Sequence, residues 1–411
     1  MPSFSIPLSG LNANSQALSA ISNNLANLNT VGYKDTRMEF RDLFYQQIGS
    51  TGAGEPIEIG AGAAVGSNTG IFTQGSIENS GVNTDIAIQG DGFFVTSKGG
   101  LQEFTRAGNF SLDQNGNLVT TDGAQVLGYP AVNGVVNTQS PPVPITIAKG
   151  QVTPANPTAN VQFGLNLDAS AAVGATFNAS SPVYDSLGAP HVLNFTFTKT
   201  AANSWNYVVT IPGADVGVVA PSVTLNAGAV TFNGAGQLTA PLANIGPIAI
   251  TGFANGASNQ TFTWKGFAPP QTSLTQFAAA SAVANATQDG FPSGSLINFS
   301  VDQTGVVQGV FSNGQSRAIG QIAVASFANV DGLARTGSNS YQATLGSGAA
   351  NVGSAGTGGR GSLQGGSLEL SNVDIATEFA RLIVAQRGYQ ANAKTVTTFD
   401  QVTQDTINLK Q

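Results

Sequence analysis

Apolar residues near the start of the chain recur at helical spacing. Leu8, Leu11, Leu18, Ile21, Leu25 and Leu28 are separated by 3, 7, 3, 4 and 3 positions, a heptad-type seam that predicts a helix packed against a partner. Near the other end, Ile375, Phe379, Leu382, Tyr389, Ala393, Val396 and Ile407 fall close to the same repeat, interrupted by Gln386, Asp400 and Thr403. The stretch SNVDIATEF (371–379) offers Ser371 or Asn372 as an N-cap, with Asp374 in the first turn where the helix dipole favours an acid. Helices of this kind are marginal alone and depend on packing. Two complementary seams therefore predict that the two ends pack on each other.

Between residues 70 and 365 the period changes. Alternation is visible in TDIAIQGDGFFVTS (84–97) and VLNFTFTKT (192–200), as in strands. Three segments, SLDQNGNLV (111–119), TFNGAGQLT (231–239) and FSVDQTGVV (299–307), place Gly after a polar run and just before an apolar residue. Gly takes the positive φ that hairpin turns need. Hairpins spread in this way predict antiparallel sheets, as sandwiches or barrels. Gly-rich tracts at 49–70 and 346–366 flank the β region and read as paired connectors. The expected fold is multidomain α+β, with paired, coiled-coil-like terminal helices and two nested, mainly antiparallel β domains. The expected partition is a terminal helical domain (1–28 and 371–411), a linker region (29–70 and 346–370), an inner β domain (71–147 and 286–345) and an inserted outer β domain (148–285).

Charge sharpens this picture. Charged residues make up 9% of the 411, against about a quarter in ordinary domains. Residues 1–33 carry none, and Lys34 is the first. A helix with apolar and uncharged-polar faces suits a segment surrounded by neighbours, where a lone charge is costly to bury. Asn29, Thr30, Val31 and Gly32 then mark the end of that helix, with Gly32 as breaker. Lys34 marks passage to exposed layers. The net charge of −7 argues against nucleic acid as a partner. There is no Cys, hence no disulfide or thiol chemistry. No apolar run approaches the about 18 residues of a membrane span, and no basic, apolar signal peptide opens the chain.

Catalytic chemistry finds little support. His191 is the only His, and no partner base or nucleophile can be assigned to it. Asp85 and Asp91, separated by AIQG, read as turn residues. DQNGN (113–117) begins like a calcium loop, but Leu118 stands where that loop needs Gly. The tract 353–366 lacks a phosphate-loop GK[ST]. No catalytic, cofactor-binding or metal-ligating set is expected.

Four motifs in order carry a family resemblance: SNNLANLNTVGYK (22–34), TDIAIQGDGFFV (84–95), FTRAGNFSLDQNGNLVTTDGAQVLGY (104–129) and SLELSNVDIATEFARLIVAQRGYQANAKTVTTFDQV (367–402). They resemble the signatures of the bacterial flagellar rod and hook family of axial proteins. VYDSLGAPHVLNFTFTK (183–199) and GQIAVASFANVDGLARTGSNSYQAT (320–344) are similar to the family's hook members rather than its shorter distal rod members. The resemblance implies a structural subunit, not an enzyme, with terminal helices in an inner tube and β domains outside it. Copies of the chain would polymerise into a curved tube, a universal joint between rod and filament. The implied partners are the chain itself, the distal rod protein, the hook–filament junction protein, the hook cap and the flagellar type III export apparatus. The implied location is the flagellar basal body and hook, extracellular after export. The assembly seam would be Leu11, Leu18, Ile21, Leu25, Leu28, Phe379, Leu382, Tyr389 and Val396. Phe40 and Phe44 of FRDLF are similar to a pattern proposed for export recognition. Gly49, Gly52, Gly54, Gly60 and Gly62 would lend linker flexibility. Two alternatives stay open: an atypically long distal rod protein, and a secreted β-rich adhesin that would leave the terminal seams without a purpose.

Overall fold

The computed structural model describes residues 4–44, 46–50, 55–148, 150–268 and 273–409. The architecture is mostly β, with a helix near each end: α1 (Ser5–Ala26) and α2 (Ile375–Asn408). The chain forms two compact units. The first gathers residues 1–149, 299–309 and 317–411, and the second 150–298 and 310–316. Residues 286–298, expected in the inner β domain, thus fall in the second unit. Pairing explains this. Ala282–Gln288 runs antiparallel to Asn160–Asn166, and Gly294 and Ser295 pair with Thr153 and Val152.

In the first unit, α1 and α2 pack together and a sheet supplies the core. Phe93–Lys98 and Leu101–Thr105 form a hairpin. Gln125–Val132, Ser340–Gln342 and Asn351–Ser354 extend it through partners that include residues 320–326. Phe93, Val95, Phe104, Leu127, Tyr129, Ala323, Ala325 and Tyr341 fill the core. Strict alternation fails at 84–97. Ile86, Ala87 and Ile88 are all fully buried, as are Phe94 and Val95, because both faces are covered.

The Gly-rich tracts are not plain connectors. Thr36–Asp42 pairs antiparallel with Ala63–Gly70. Asn351–Ser354, Ser362–Gly365 and Ser367–Glu369 are strands paired within the first unit. Close packing is one reason for the glycines: a Cβ on Gly361 would lie 2.4 Å from the Gln89 carbonyl oxygen.

The second unit is a two-sheet structure. One sheet is a meander of Thr176–Tyr184, Pro190–Ala201, Ser204–Pro212, Ser222–Phe232 and Leu238–Ala240. The other orders Ile245–Ile250, Gln260–Lys265, Asn160–Asn166 and Leu274–Thr275, with Ala282–Gln288 also on Asn160–Asn166. Two of its pairings are parallel. Alternation holds here: Leu193, Phe195 and Phe197 are buried while Val192 and Asn194 face outward. Trp264 is fully buried, with Phe163, Phe195, Phe197, Tyr207 and Phe267 at centroid distances of 4.7–6.3 Å. Edge-to-face rings of this kind add to the burial energy.

Candidate functional site

The terminal helices run antiparallel, with Gly10 against Asn392 and Asn14 against Gly388. The contact is reciprocal. Asn14 Nδ2 donates to the Gly10 carbonyl (2.8 Å), and Asn392 Nδ2 donates to the Gly388 carbonyl (2.9 Å). Each amide is thereby pinned along its own helix while its tip covers the other helix's glycine. A Cβ on either glycine would lie 2.7 Å from the facing Asn Oδ1. Further along, Ala17, Ile21 and Ala385 form a small cluster joined by Leu18, Leu25 and Leu382. Phe4 and Phe399 meet edge to face at 6.0 Å.

The expected leucine seam is thus only partly what joins the helices. Leu18, Ile21, Leu25 and Leu382 are brought together. Leu11, Leu28 and Val396 are half-buried outside that cluster, and Phe379 and Tyr389 remain 52% and 41% exposed. Small residues bring the backbones close, so the contact is not a ladder of leucine knobs. Ile375, Phe379 and Ile383 form an exposed stripe along α2, and Val384 is exposed on a different face of the helix.

A polar anchor closes the pair at the other end of α1. The helix ends at Ala26, ahead of the expected stop, and the chain turns back through Gly32 at φ +66°. Asn24 is fully buried. Its Oδ1 accepts from Thr36 N–H (3.1 Å), Thr36 Oγ1 (2.8 Å) and Tyr33 OH (3.2 Å). Its Nδ2 donates to Asp35 Oδ1, the Thr36 carbonyl (2.9 Å) and Glu378 Oε2 of α2 (3.2 Å). Arg381 reaches both Glu378 and Asp35. Burial, and then the charge of Glu378, pushes the Asp35 carboxyl above its usual range.

Lys34 does not enter an exposed layer. It is 1% exposed, and its ammonium donates to Glu369 Oε1 and to the Thr73 carbonyl, each at 2.7 Å. Glu369 Oε2 takes Arg106 Nε at 2.6 Å, and the remaining Arg106 nitrogens donate to the carbonyls of Ile88, Gly90 and Gly92. Burial lowers the Lys34 pKa, and the Glu369 carboxylate opposes that shift. A triad in which each charge meets an opposite charge and further hydrogen bonds is how a buried charge is tolerated. Asn372 is not a helix cap. It accepts from Asp35 N–H and donates to the carbonyls of Ile71 and Thr73, while Asp374 caps α2 through Thr377 N–H at 2.6 Å. The pattern had not marked Asn24, Arg106, Glu369 or Glu378. The available signal was isolated charge in an otherwise uncharged setting.

Other expected positions are placed as follows. Phe40 lies on Thr36–Asp42, a strand, so it and Phe44 are not neighbours on a helix; they are 49% and 96% exposed. A Cβ on Gly49 would meet nothing within 4 Å, whereas Gly62, at φ +108°, would press one within 2.1 Å of Ser9 Oγ. Gly60 is half-buried. Gly52 and Gly54 lie outside the described residues. Asp85 is buried and bridges to Asn109. DQNGN is a turn in which Asp113 Oδ1 accepts the N–H groups of Asn115 and Asn117, each at 2.8 Å.

Four family models match along the chain. Residues 6–34 match the flagella basal body rod protein, 87–163 the flagellar hook protein FlgE/F/G D1 domain, 168–291 the flagellar basal body protein FlaE D2 domain and 364–409 the flagellar basal body rod FlgEFG protein C-terminal region. The chain is 36% identical to the flagellar hook protein FlgE of Escherichia coli, covering 99% of this chain and 100% of that one. It is 34% identical to the FlgE of Treponema pallidum, covering 98% of each. In fold it is similar to the crystal structure of Helicobacter pylori flagellar hook protein FlgE2, with a TM-score of 0.51 over 70% of this chain and 99% of that one, at 15% identity. With that likeness running through both terminal helices and both compact units, the chain belongs to the flagellar hook protein FlgE family.

Proposed function

We propose that the chain is a structural subunit that polymerises into the flagellar hook, a curved tube that passes motor torque from rod to filament. The observation behind polymerisation is the stripe of α2. Ile375, Phe379 and Ile383 are 47–54% exposed in a single chain, a surface that a neighbouring copy would cover. Burying one such side chain is worth about 1.5–3 kcal/mol. The half-buried and exposed seam positions Leu11, Leu28, Phe379, Tyr389 and Val396 belong to the same proposed contact.

Bending is assigned to surfaces that exchange neighbours at little electrostatic cost, since so few side chains are charged. Gly49 and Gly60 supply local freedom, while the packed Gly62 holds its place against α1. The remaining partners are the distal rod protein, the hook–filament junction protein and the hook cap. Export runs through the flagellar type III apparatus to the cell exterior, with the exposed Phe40 and Phe44 as its recognition residues.

The test is a pair of charge substitutions on the exposed stripe. F379D and I383D are expected to leave the monomer's circular dichroism and thermal midpoint nearly unchanged, and to abolish tube formation seen in negative-stain images. Tubes of normal length and curvature from both variants would overturn the assignment.

A further inference from the structure

The only histidine lies buried in the second unit, near the start of Pro190–Ala201, with its side chain 7% exposed. Its two ring nitrogens face two different acids. Nε2 lies 3.1 Å from Asp185 Oδ2 and Nδ1 lies 3.2 Å from Asp215 Oδ2. Asp185 sits in the turn just before His191. Its Oδ1 accepts Leu187 N–H (2.8 Å) and Ala189 N–H (2.9 Å), and its Oδ2 also accepts Asn255 Nδ2 (2.5 Å). Asp215 comes from a single 3-10 turn, Gly213–Val216. Phe253 stacks on the imidazole at 4.8 Å and 39°. The charged groups facing the ring are therefore Asp185 from its own hairpin and Asp215 from the 3-10 turn. The loop 253–257 offers a ring and an amide, and the cross-strand neighbour is Val183.

A neutral imidazole has one N–H and one lone pair. Asp185 is already fixed by three other donors, so the single proton belongs on Nε2. Nδ1, which is buried and has no well-aligned acceptor among the described residues, would then point a lone pair at the Asp215 carboxylate. With both nitrogens protonated, the ring carries a positive charge within 3.2 Å of both carboxylates. Next to Asp215, Val216 is buried in the hydrophobic core of the unit, and the rest of the segment is held by backbone ties. Gly213 N–H donates to the Pro221 carbonyl (3.2 Å), Val218 N–H to the Gly213 carbonyl (2.8 Å) and Ala254 N–H to the Asp215 carbonyl (2.9 Å). At its tip Val219 is fully exposed.

We propose that His191 is a proton-operated clamp in the second unit: doubly protonated, it ties Asp185 to Asp215, and loss of one proton releases Asp215 and loosens residues 213–221. The change would alter the surface displayed around Val218 and Val219.

The lone histidine and the absence of cysteine make the test direct. In the full chain, ¹⁵N-labelled imidazole signals belong to His191 alone. A nitroxide on V219C reports the loop alone. Label mobility should rise as pH increases from 5.5 to 8.5 and track the ring titration. In D215N, and independently in H191Q, mobility should be high and flat with pH. A label whose mobility ignores pH in wild type, or one that still responds to pH in D215N, would overturn the clamp.

Discussion

Asn24 is a small side chain with a large role. It links Tyr33, Asp35 and Thr36 to Glu378 from a fully buried position. Asn24→Ala strands at least two buried polar groups, at about 1–3 kcal/mol each, so a loss of about 2–6 kcal/mol is expected in urea unfolding. Nothing local marks this residue among the asparagines of SNNLANLN, because its partners lie 12 and 354 positions away. Turn chemistry is the opposite case. Asp113, Asn233 and Asp302 each accept backbone N–H groups two and four residues on, with Gly three residues on at φ +81°, +76° and +85°. That spacing was readable, and Asp185 with Gly188 repeats it unnoticed. Asp289 shows how such carboxylates set acid stability. Burial raises its pKa, but hydrogen bonds from Asn160 and Ala159 outweigh that and hold it below the usual range. Its contribution is therefore present above the unfolded pKa of about 3.9 and lost as pH falls through the folded value. Asp289→Asn should lower the thermal midpoint at pH 7 and have little effect near pH 2. Asp35 has the reverse sign: its raised pKa makes the ionised form costly at neutral pH, and acidification relieves that cost.

At the scale of elements, the helix pair is held by a repeated word. Residues 10–14 read GLNAN and 388–392 read GYQAN, and the two run antiparallel with each Asn over the other's Gly. Leucine periodicity located the helices and part of their contact, Leu18, Ile21, Leu25 and Leu382, but it did not mark the small residues Ala13, Ala17 and Ala385 that are buried beside them. Gly388→Ala would overpack the crossing, at about 1–3 kcal/mol, read as a lower midpoint in the helical circular dichroism signal. Adding Asn14→Ala should recover part of that loss, and no recovery would place the strain elsewhere. Strand reading shows the same dependence on surroundings. Period 2 located the 192–200 strand because one face is solvated, and it failed at 84–97, where both faces are covered. The Gly-rich tracts misled for a related reason: composition cannot separate a flexible tether from glycine needed for close packing.

For the whole molecule, sparse charge was the most informative number, and five of the buried charges, Lys34, Asp35, Arg106, Glu369 and Glu378, tie the two ends of the chain together. Glu369 and Glu378 join residues that are otherwise distant in sequence. Removal of residues 1–28 is consequently not a neutral truncation, because it also removes Asn24. In that variant, amides 33–36 should lose hydrogen-exchange protection while those of 160–166 keep theirs. The reach of the anchor also has a temporal side. Lys34 meets Glu369 across 335 residues of chain, and synthesis supplies the first long before the second. The opening segment must wait, uncharged and unpartnered, until the closing one arrives. The junction thus acts as a clasp that shuts last, and a nascent or interrupted chain that stops short of Glu369 has no means of shutting it.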